Sequence, residues 1–410
     1  MKYILTTLFA GLFAVAALAQ CNAQLEKYIT GFDSLKASSF SFFDSSLKDV
    51  RIVGYGEDTH GTAEFTLLTK DLMTYLSQNH GFKILILETG FGEGQYLNDY
   101  IQGRRDDLKT ILKEHNSTWR YNTQEFHQLM NGLREYNQNH AEKIHVYGSE
   151  MQYVISDANR IRDFLKKADT NYRIDGFEKH LWQPMEEYEK TDYYVSYVKL
   201  KNYFTDNYEI LKSKTSEKEL ELAYRHVLVL GQFVMAIHQN AEQRKHDMRD
   251  MYIAENIEWI LHFHGTESKA LYWAHNAHVG DWVDNGSVDV AGHQLRKMYG
   301  DAYFNLATDF GTGEYMAFSH DGKLIAFGHE SVVEDSFTAC LKDFGKPNAF
   351  LNIRQAREDS TLIEFLNSNL TTMSGAGAVI RDEETETKEL GKAFDGIIYL
   401  NQTHKINWAE

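Results

Sequence analysis

The sequence predicts an α/β fold: a three-layer core with a mostly parallel sheet, plus a helical insertion covering the C-terminal strand ends. Three observations lead there. Short β-branched or aromatic runs, apolar nearly throughout, stand at 50–57, 83–90, 143–150 and 269–276. Runs of that kind suit strands buried on both faces, as in parallel sheets. Helical stretches separate them, and strand–helix alternation is the pattern of right-handed crossovers. Between 155 and 264 no strand signal appears.

Residues 1–23 read as a secretory signal peptide. Lys2 supplies a positive start, Ile4 to Ala19 a mostly apolar run, and small residues follow. Leu18-Ala19-Gln20-Cys21 is similar to a bacterial lipoprotein box, in which Cys21 would be lipidated, although Gln20 departs from the small residue usual there. Cleavage after Ala19 or Ala23 is the alternative. The expected location is therefore the periplasm or a lipid-anchored position at a bacterial membrane, with membrane contact only through that lipid. Cys340 is the other cysteine of the two. With Cys21 lipidated or removed, no intrachain bridge is expected.

The mature chain divides into an α/β core, 24–154 and 265–410, and the helical insertion, 155–264. "VRIVGYGE" forms the first strand. "EFTLLTKDLMTYLSQNHG" then places Phe65, Leu68, Leu72, Tyr75 and Leu76 on one helical face, with Gly81 as terminator. "KILILETG" is the second strand. "TQEFHQLMNGLREYNQ" repeats the helical arrangement with Phe126, Leu129, Met130, Leu133 and Tyr136, and "KIHVYGSE" is the third strand. In the insertion, Leu220, Ala223, Val227, Leu230, Val234 and Ile237 keep helical spacing, as do Met251, Ala254, Ile257 and Ile260. Strands resume at 269–276, 302–310, 348–354 and 394–402. Residues 315–330 read as a hairpin turning at Asp321-Gly322. No segment inside the chain reaches the roughly 20 apolar residues that cross a bilayer.

The 410 residues, 43% of them hydrophobic, suffice for one or two packed cores. A net charge of −17 would repel phosphate backbones, which excludes nucleic acid as an expected partner.

Chemistry gathers where strands end. The first strand ends at Glu57, with His60 just beyond; the second at Glu88; the third at Glu150; the fourth at His275, with His278 three residues on. In an open parallel sheet those ends face the ligand crevice. Singly, each has a bland reading: Glu57 as an acid answering a helix dipole, His60 as a turn cap, His278 as a loop closure. Glu88 is harder to dismiss, since a carboxylate after Ile84-Leu85-Ile86-Leu87 needs a partner. Jointly they suit a histidine oriented by carboxylates as a general base for water. Glu57-x-x-His60 and His275-x-x-His278 also contain zinc-type ligands. Neither spacing is His-Glu-x-x-His, and a Gly-x-Ser-x-Gly elbow, a Walker A loop and a Cys cluster are all lacking. A metal-dependent hydrolase and a non-catalytic ligand- or metal-binding protein in the same cleft therefore stay open on the residues alone.

"GEDTHGTAEF", "LETGFGEGQYLNDYI", "EFHQLMNGLREYNQ", "VYGSEMQ", "RDMYIAENIEWIL", "YWAHNAHVGD" and the terminal "FDGIIYL" stand in the order and spacing of one family. Over roughly 45–402 the chain resembles the erythromycin esterase family. The resemblance implies a helical subdomain across a cleft and hydrolysis without a metal or other cofactor, by a histidine that activates water. Some members open a cyclic ester in macrolide antibiotics, which links the family to antibiotic resistance. Carried over, His60 is the general base, and Glu57, Glu88 and His275 are its catalytic companions. His278, Glu64, Glu150 and Arg249 are the substrate-binding candidates, and the partner is a small-molecule ester or lactone. Two departures bear on the substrate. A basic residue common in the family nine positions after the first histidine is Thr69 here, with Lys70 next door. The family's Gly-x-Asp-Met block reads Gly148-Ser149-Glu150-Met151.

Overall fold

The computed structural model describes residues 21–115, 119–284, 288–373, 377–380 and 385–409. The signal segment falls outside the described residues except for 21–23.

An unexpected short strand, β1 (Ile29–Gly31), comes first, and the expected strands form at β2 (Ile52–Glu57), β3 (Ile84–Gly90), β4 (His145–Glu150) and β5 (Ala270–His275). They join Tyr303–Phe318, Leu324–His329, Asn348–Asn352 and Gly396–Thr403 in one nine-stranded sheet. From the centre outward, β2, β5, β3 and β4 lie side by side and parallel. On the other flank of β2, Tyr303–Phe318 and Gly396–Thr403 are parallel as well. Within this sheet, antiparallel pairing among the described residues involves Asn348–Asn352, β1 and the hairpin strand Leu324–His329. The mixed α/β class with a mostly parallel sheet is as the sequence predicts. The strand at 302–310 and the first arm of the hairpin are one continuous strand, Tyr303–Phe318, which turns back through Gly322 at φ +80°.

Alternation along the strands builds both faces. Ile52, Ile84, Ile86, Ala270 and Tyr272 point to one side, and Val53, Leu85, Leu87, Leu271 and Trp273 to the other. The second side is covered by α1 (Ala63–Asn79), with contributions from α2 (Phe91–Ile101), α3 (Leu108–His115) and α4 (Gln124–Asn139). The first side is covered from the helical stretch: α5 (Ile155–Lys167), α6 (Glu187–Asp206), α7 (Tyr208–Lys214), α8 (Glu217–Ile237) and α9 (Glu242–His264). Residues 155–264 thus supply much of one layer of the sandwich, joined there by Ala291, Leu295 and Phe337, and reach the strand ends through Arg249 and Asp250 of α9. Contrary to the sequence estimate, α8 is long and apolar enough to cross a membrane; 72% of its apolar window is buried inside the protein, where it serves as a core helix.

Cys21 and Cys340 form a disulfide across 319 residues of sequence. This corrects two expectations, lipidation of Cys21 and the lack of an intrachain bridge. A sulfur engaged in a disulfide has no valence left for a lipid thioether, and cleavage after Ala23 would remove it. The bond ties the residue just ahead of the 3-10 helix Ala23–Tyr28 to the buried side of the helix Phe337–Asp343. Thiol titration of the unfolded, unreduced protein should find no free thiol, and two after reduction. Cys340→Ala should lower unfolding stability by about 2–5 kcal/mol, the usual loss for a native disulfide. Two free thiols before reduction would contradict the pairing.

Candidate active site

β2 delivers Glu57 at its last position, fully buried. Oε2 accepts the indole N–H of Trp273 at 3.0 Å, and Oε1 accepts His60 Nδ1–H at 2.6 Å. Between them the chain makes a tight turn, which Gly61 permits: a Cβ there would strike the Met316 backbone at 2.0 Å. Gly61 also accepts backbone N–H groups from Met316 and Ile406, so the His60 turn is anchored to the long strand and to the C-terminal segment.

Arg120 sits in the single turn Trp119–Tyr121, 3% exposed. Its Nη1 donates to Glu57 Oε1 at 2.5 Å and touches His60 Nδ1; it lies 3.3 Å from Nε2. Nη2 donates to the Glu88 carbonyl at 3.0 Å, to Glu88 Oε2 at 3.3 Å and to Tyr121 Oη at 3.0 Å. Glu88 Oε2 also accepts the backbone N–H of His275 at 2.9 Å, and its Oε1 accepts Arg249 Nη2 at 2.8 Å. Arg249 Nε reaches both Glu150 oxygens, at 2.9 and 3.1 Å, and its Nη1 contacts His278 Nε2 at 3.0 Å. His278 Nδ1 faces Asp250 Oδ1 at 2.8 Å. The chain of contacts therefore runs Trp273–Glu57–Arg120–Glu88–Arg249–Glu150, with His60 and His278 on its flanks.

The structure brings Glu57, His60, Glu88, Glu150, Arg249, His275 and His278 to one region. A cleft of about 430 Å³ opens above it, lined by His60, Glu88, Arg120, Arg249, His275 and His278, with Trp119, Trp182 and Phe318 among its apolar walls. Its volume suits a small molecule. A larger opening of about 790 Å³ shares His278 with the cleft and is also lined by Asp250, but by none of Glu57, His60 or Glu88. Glu64 is not brought to the cleft. From the first turn of α1 its carboxylate takes the backbone N–H and Nδ1 of His404, at 2.8 and 2.7 Å. His275 lines the cleft with both ring nitrogens occupied: Nε2 donates to the Asp58 carbonyl at 3.1 Å, and Nδ1 accepts the Ala277 N–H at 3.2 Å. Thr69 is buried in α1 with its hydroxyl on the Phe65 carbonyl.

Electrostatics sort these groups. Burial, then the Arg120 charge, push the proton affinity of His60 below the ordinary imidazole value, against the upward pull of Glu57. Burial, then neighbouring His60, push His275 much further down. For Glu88 burial acts upward, yet Arg120, His278, His60 and Arg249 together hold its carboxyl well below the usual range. Glu150 is raised by burial despite Arg249. His278 is opposed by burial but raised on balance by Asp250 and Glu88. Neutral His278 accepts Arg249 at Nε2; once protonated it would instead donate toward Glu88 Oε1, 3.5 Å away. Among the described residues no group of three or more His, Cys, Asp or Glu side chains is placed to hold a metal ion. Guanidinium groups fill the spaces between the carboxylates.

Sequence reading missed Arg120, Asp250 and the indole of Trp273. Asp250 neighbours Arg249 and Trp273 lies inside a recognised strand, so both were within reach. Arg120 stands in an irregular stretch with no periodicity to assign it a direction.

The erythromycin esterase model matches residues 77–403. The chain belongs to the erythromycin esterase family. That match spans Glu88, Arg120, Glu150, Arg249, His275 and His278, and begins after Glu57 and His60. Erythromycin esterase type II of Escherichia coli is 26% identical over 404 residues, covering 87% of this chain and 90% of its own. A solved Bacillus cereus protein superposes with a TM-score of 0.82 at 21% identity, covering 94% of this chain and 98% of that one. An erythromycin esterase mutant in its open conformation gives 0.67 at 16% identity, covering 92% and 98%. Membership in the erythromycin esterase family supports a hydrolase.

Glu88 should matter to stability first. Removing one partner of a buried ion pair costs about 3–5 kcal/mol, so Glu88→Ala should melt well below the wild type. Because the folded-state affinity of Glu88 for protons is depressed, its contribution is complete above the unfolded carboxyl value of about 4.3 and is lost as pH falls through the lower folded value. Stability curves of wild type and Glu88→Gln should therefore converge toward low pH. An unchanged melting temperature in Glu88→Ala would contradict the clamp.

Proposed function

We propose that this protein hydrolyses a carboxylic ester or lactone by direct attack of water, with His60 as general base. One observation carries the reading: Nδ1 of His60 lies 2.6 Å from a Glu57 carboxylate oxygen, which can only accept, so the ring proton sits on Nδ1 and Nε2, 3.3 Å from Arg120 Nη1, keeps its lone pair in a residue that lines the cleft. Burial and Arg120 favour the unprotonated imidazole that a base requires. Water bound against Nε2 would lose its proton as its oxygen attacks the carbonyl. The negative charge then forming on the carbonyl oxygen needs a donor, and Arg249, which lines the cleft and has a second N–H on Nη1 beyond the one on His278, is the candidate. His275 is a poorer candidate for that task, since its N–H is already given to Asp58. One such donor contributes roughly 10²–10³ in rate. The chemistry balances without a cofactor: the acyl–oxygen bond breaks, and the proton taken by His60 passes to the leaving alkoxide.

We also propose that the protein is exported, since the Cys21–Cys340 bond fits an oxidising compartment.

A screen of esters and lactones with wild type and His60→Ala tests the proposal. The variant should fold normally and lose turnover by about 10²–10⁴, the usual size of a general-base effect. Activity should fall on the acid side with a midpoint below the ordinary imidazole value of about 6.5, because the base is depressed rather than raised. Wild-type turnover by His60→Ala, or an acyl group trapped on a serine or threonine, would overturn it.

A further inference from the structure

We propose that Arg120 is a positioning residue that sets the charge state and ring orientation of His60, an inference that rests on the general-base reading above. The geometry is specific. Arg120 Nη1 and His60 Nδ1 converge on one oxygen, Glu57 Oε1, at 2.5 and 2.6 Å. The same guanidinium reaches Glu88 through Nη2, so one cation is shared by the two carboxylates that face His60. Its own place is fixed by the Glu88 carbonyl and the Tyr121 hydroxyl, and it lies 4.9 Å over the Tyr121 ring. A guanidinium packed against an imidazole opposes a second positive charge there.

The groups facing His60 come from four elements: Glu57 from β2, Glu88 from β3, Arg120 from the 119–121 turn, and His275 from β5, whose ring centroid is 5.3 Å away. His275 is held neutral by its own burial and contacts. The balance at His60 is thus between burial and one guanidinium, which disfavour imidazolium, and two carboxylates that favour it. Without Arg120, Glu57 would lose its cation and Glu88 would keep only Arg249, so the pull of both carboxylates toward imidazolium would be opposed by burial alone. With it, Oε1 of Glu57 is shared between two donors. That sharing limits how strongly Glu57 pulls a proton onto the ring while still fixing the ring's direction.

The test is NMR titration of the His60 ring in the full-length protein, paired with kcat/KM against pH on an ester found by the screen. Wild type, Arg120→Gln and Arg120→Lys are compared, with His60→Gln used only to assign the signal. Arg120→Gln should raise the His60 midpoint by about one to three pH units, the range for a lost neighbouring charge. The acid limb should move by the same amount, with activity recovering at alkaline pH. Arg120→Lys should return both toward wild type. An unmoved midpoint in Arg120→Gln, or a loss of activity equal at every pH, would overturn the proposal. Should Arg120→Gln unfold, Arg120→Lys decides alone: a wild-type midpoint supports a charge effect, and a raised one contradicts it. A shifted ring midpoint with no matching movement of the rate profile would support the role of Arg120 and overturn His60 as base, so the two failures are distinguishable.

Discussion

A carboxylate carried out of water on an apolar strand must be answered by a cation, and Glu88 is answered by two. It follows Ile84-Leu85-Ile86-Leu87, all buried, and takes Arg120 on one oxygen and Arg249 on the other. Those arginines come from distant places, one from the turn before α4 and one from α9. The demand of a single buried charge therefore draws a loop and a helix to the ends of β2, β3, β4 and β5. Each guanidinium in turn needs a second acid, and finds Glu57 or Glu150. The cleft is what this charge lattice leaves open above it. Breaking one link exposes the remainder to an uncompensated buried charge, so fold and site are held by the same contacts.

Much of this was legible in the residues, for a physical reason. A parallel strand must be apolar on both faces, so an acid or histidine closing such a run is conspicuous, and parallel direction sends all those closures to one edge. Glu57, Glu88, Glu150 and His275 were found in that way. Arg120 was not, because an irregular turn carries no period and its direction depends entirely on tertiary contacts. Glu64 erred in the opposite sense. It stands inside a block resembling the family, but the first turn of α1 points it at His404 rather than at the cleft. The bond between Cys21 and Cys340 was hidden because a lipoprotein-like stretch and a disulfide cysteine look alike until the partner is seen in space.

The two departures from the erythromycin esterase pattern take on physical meaning in the fold. Thr69 is fully buried on α1 and its hydroxyl is spent on a backbone carbonyl, so nothing basic enters the cleft from there. The cations present are Arg120 and Arg249. At 150, glutamate in place of aspartate reaches Arg249 with both oxygens while remaining fully buried. Its added length is used inside the lattice, toward α9, and the cleft floor is the guanidinium that it holds.

The central claim is that His60 stands unprotonated at Nε2, with its one ring proton directed at Glu57. Neutron diffraction from deuterated crystals near pH 7 reads this directly. A single deuteron on Nδ1, pointing at Glu57 Oε1, with none on Nε2, is the predicted result. A deuteron on Nε2, alone or together with one on Nδ1, would contradict it.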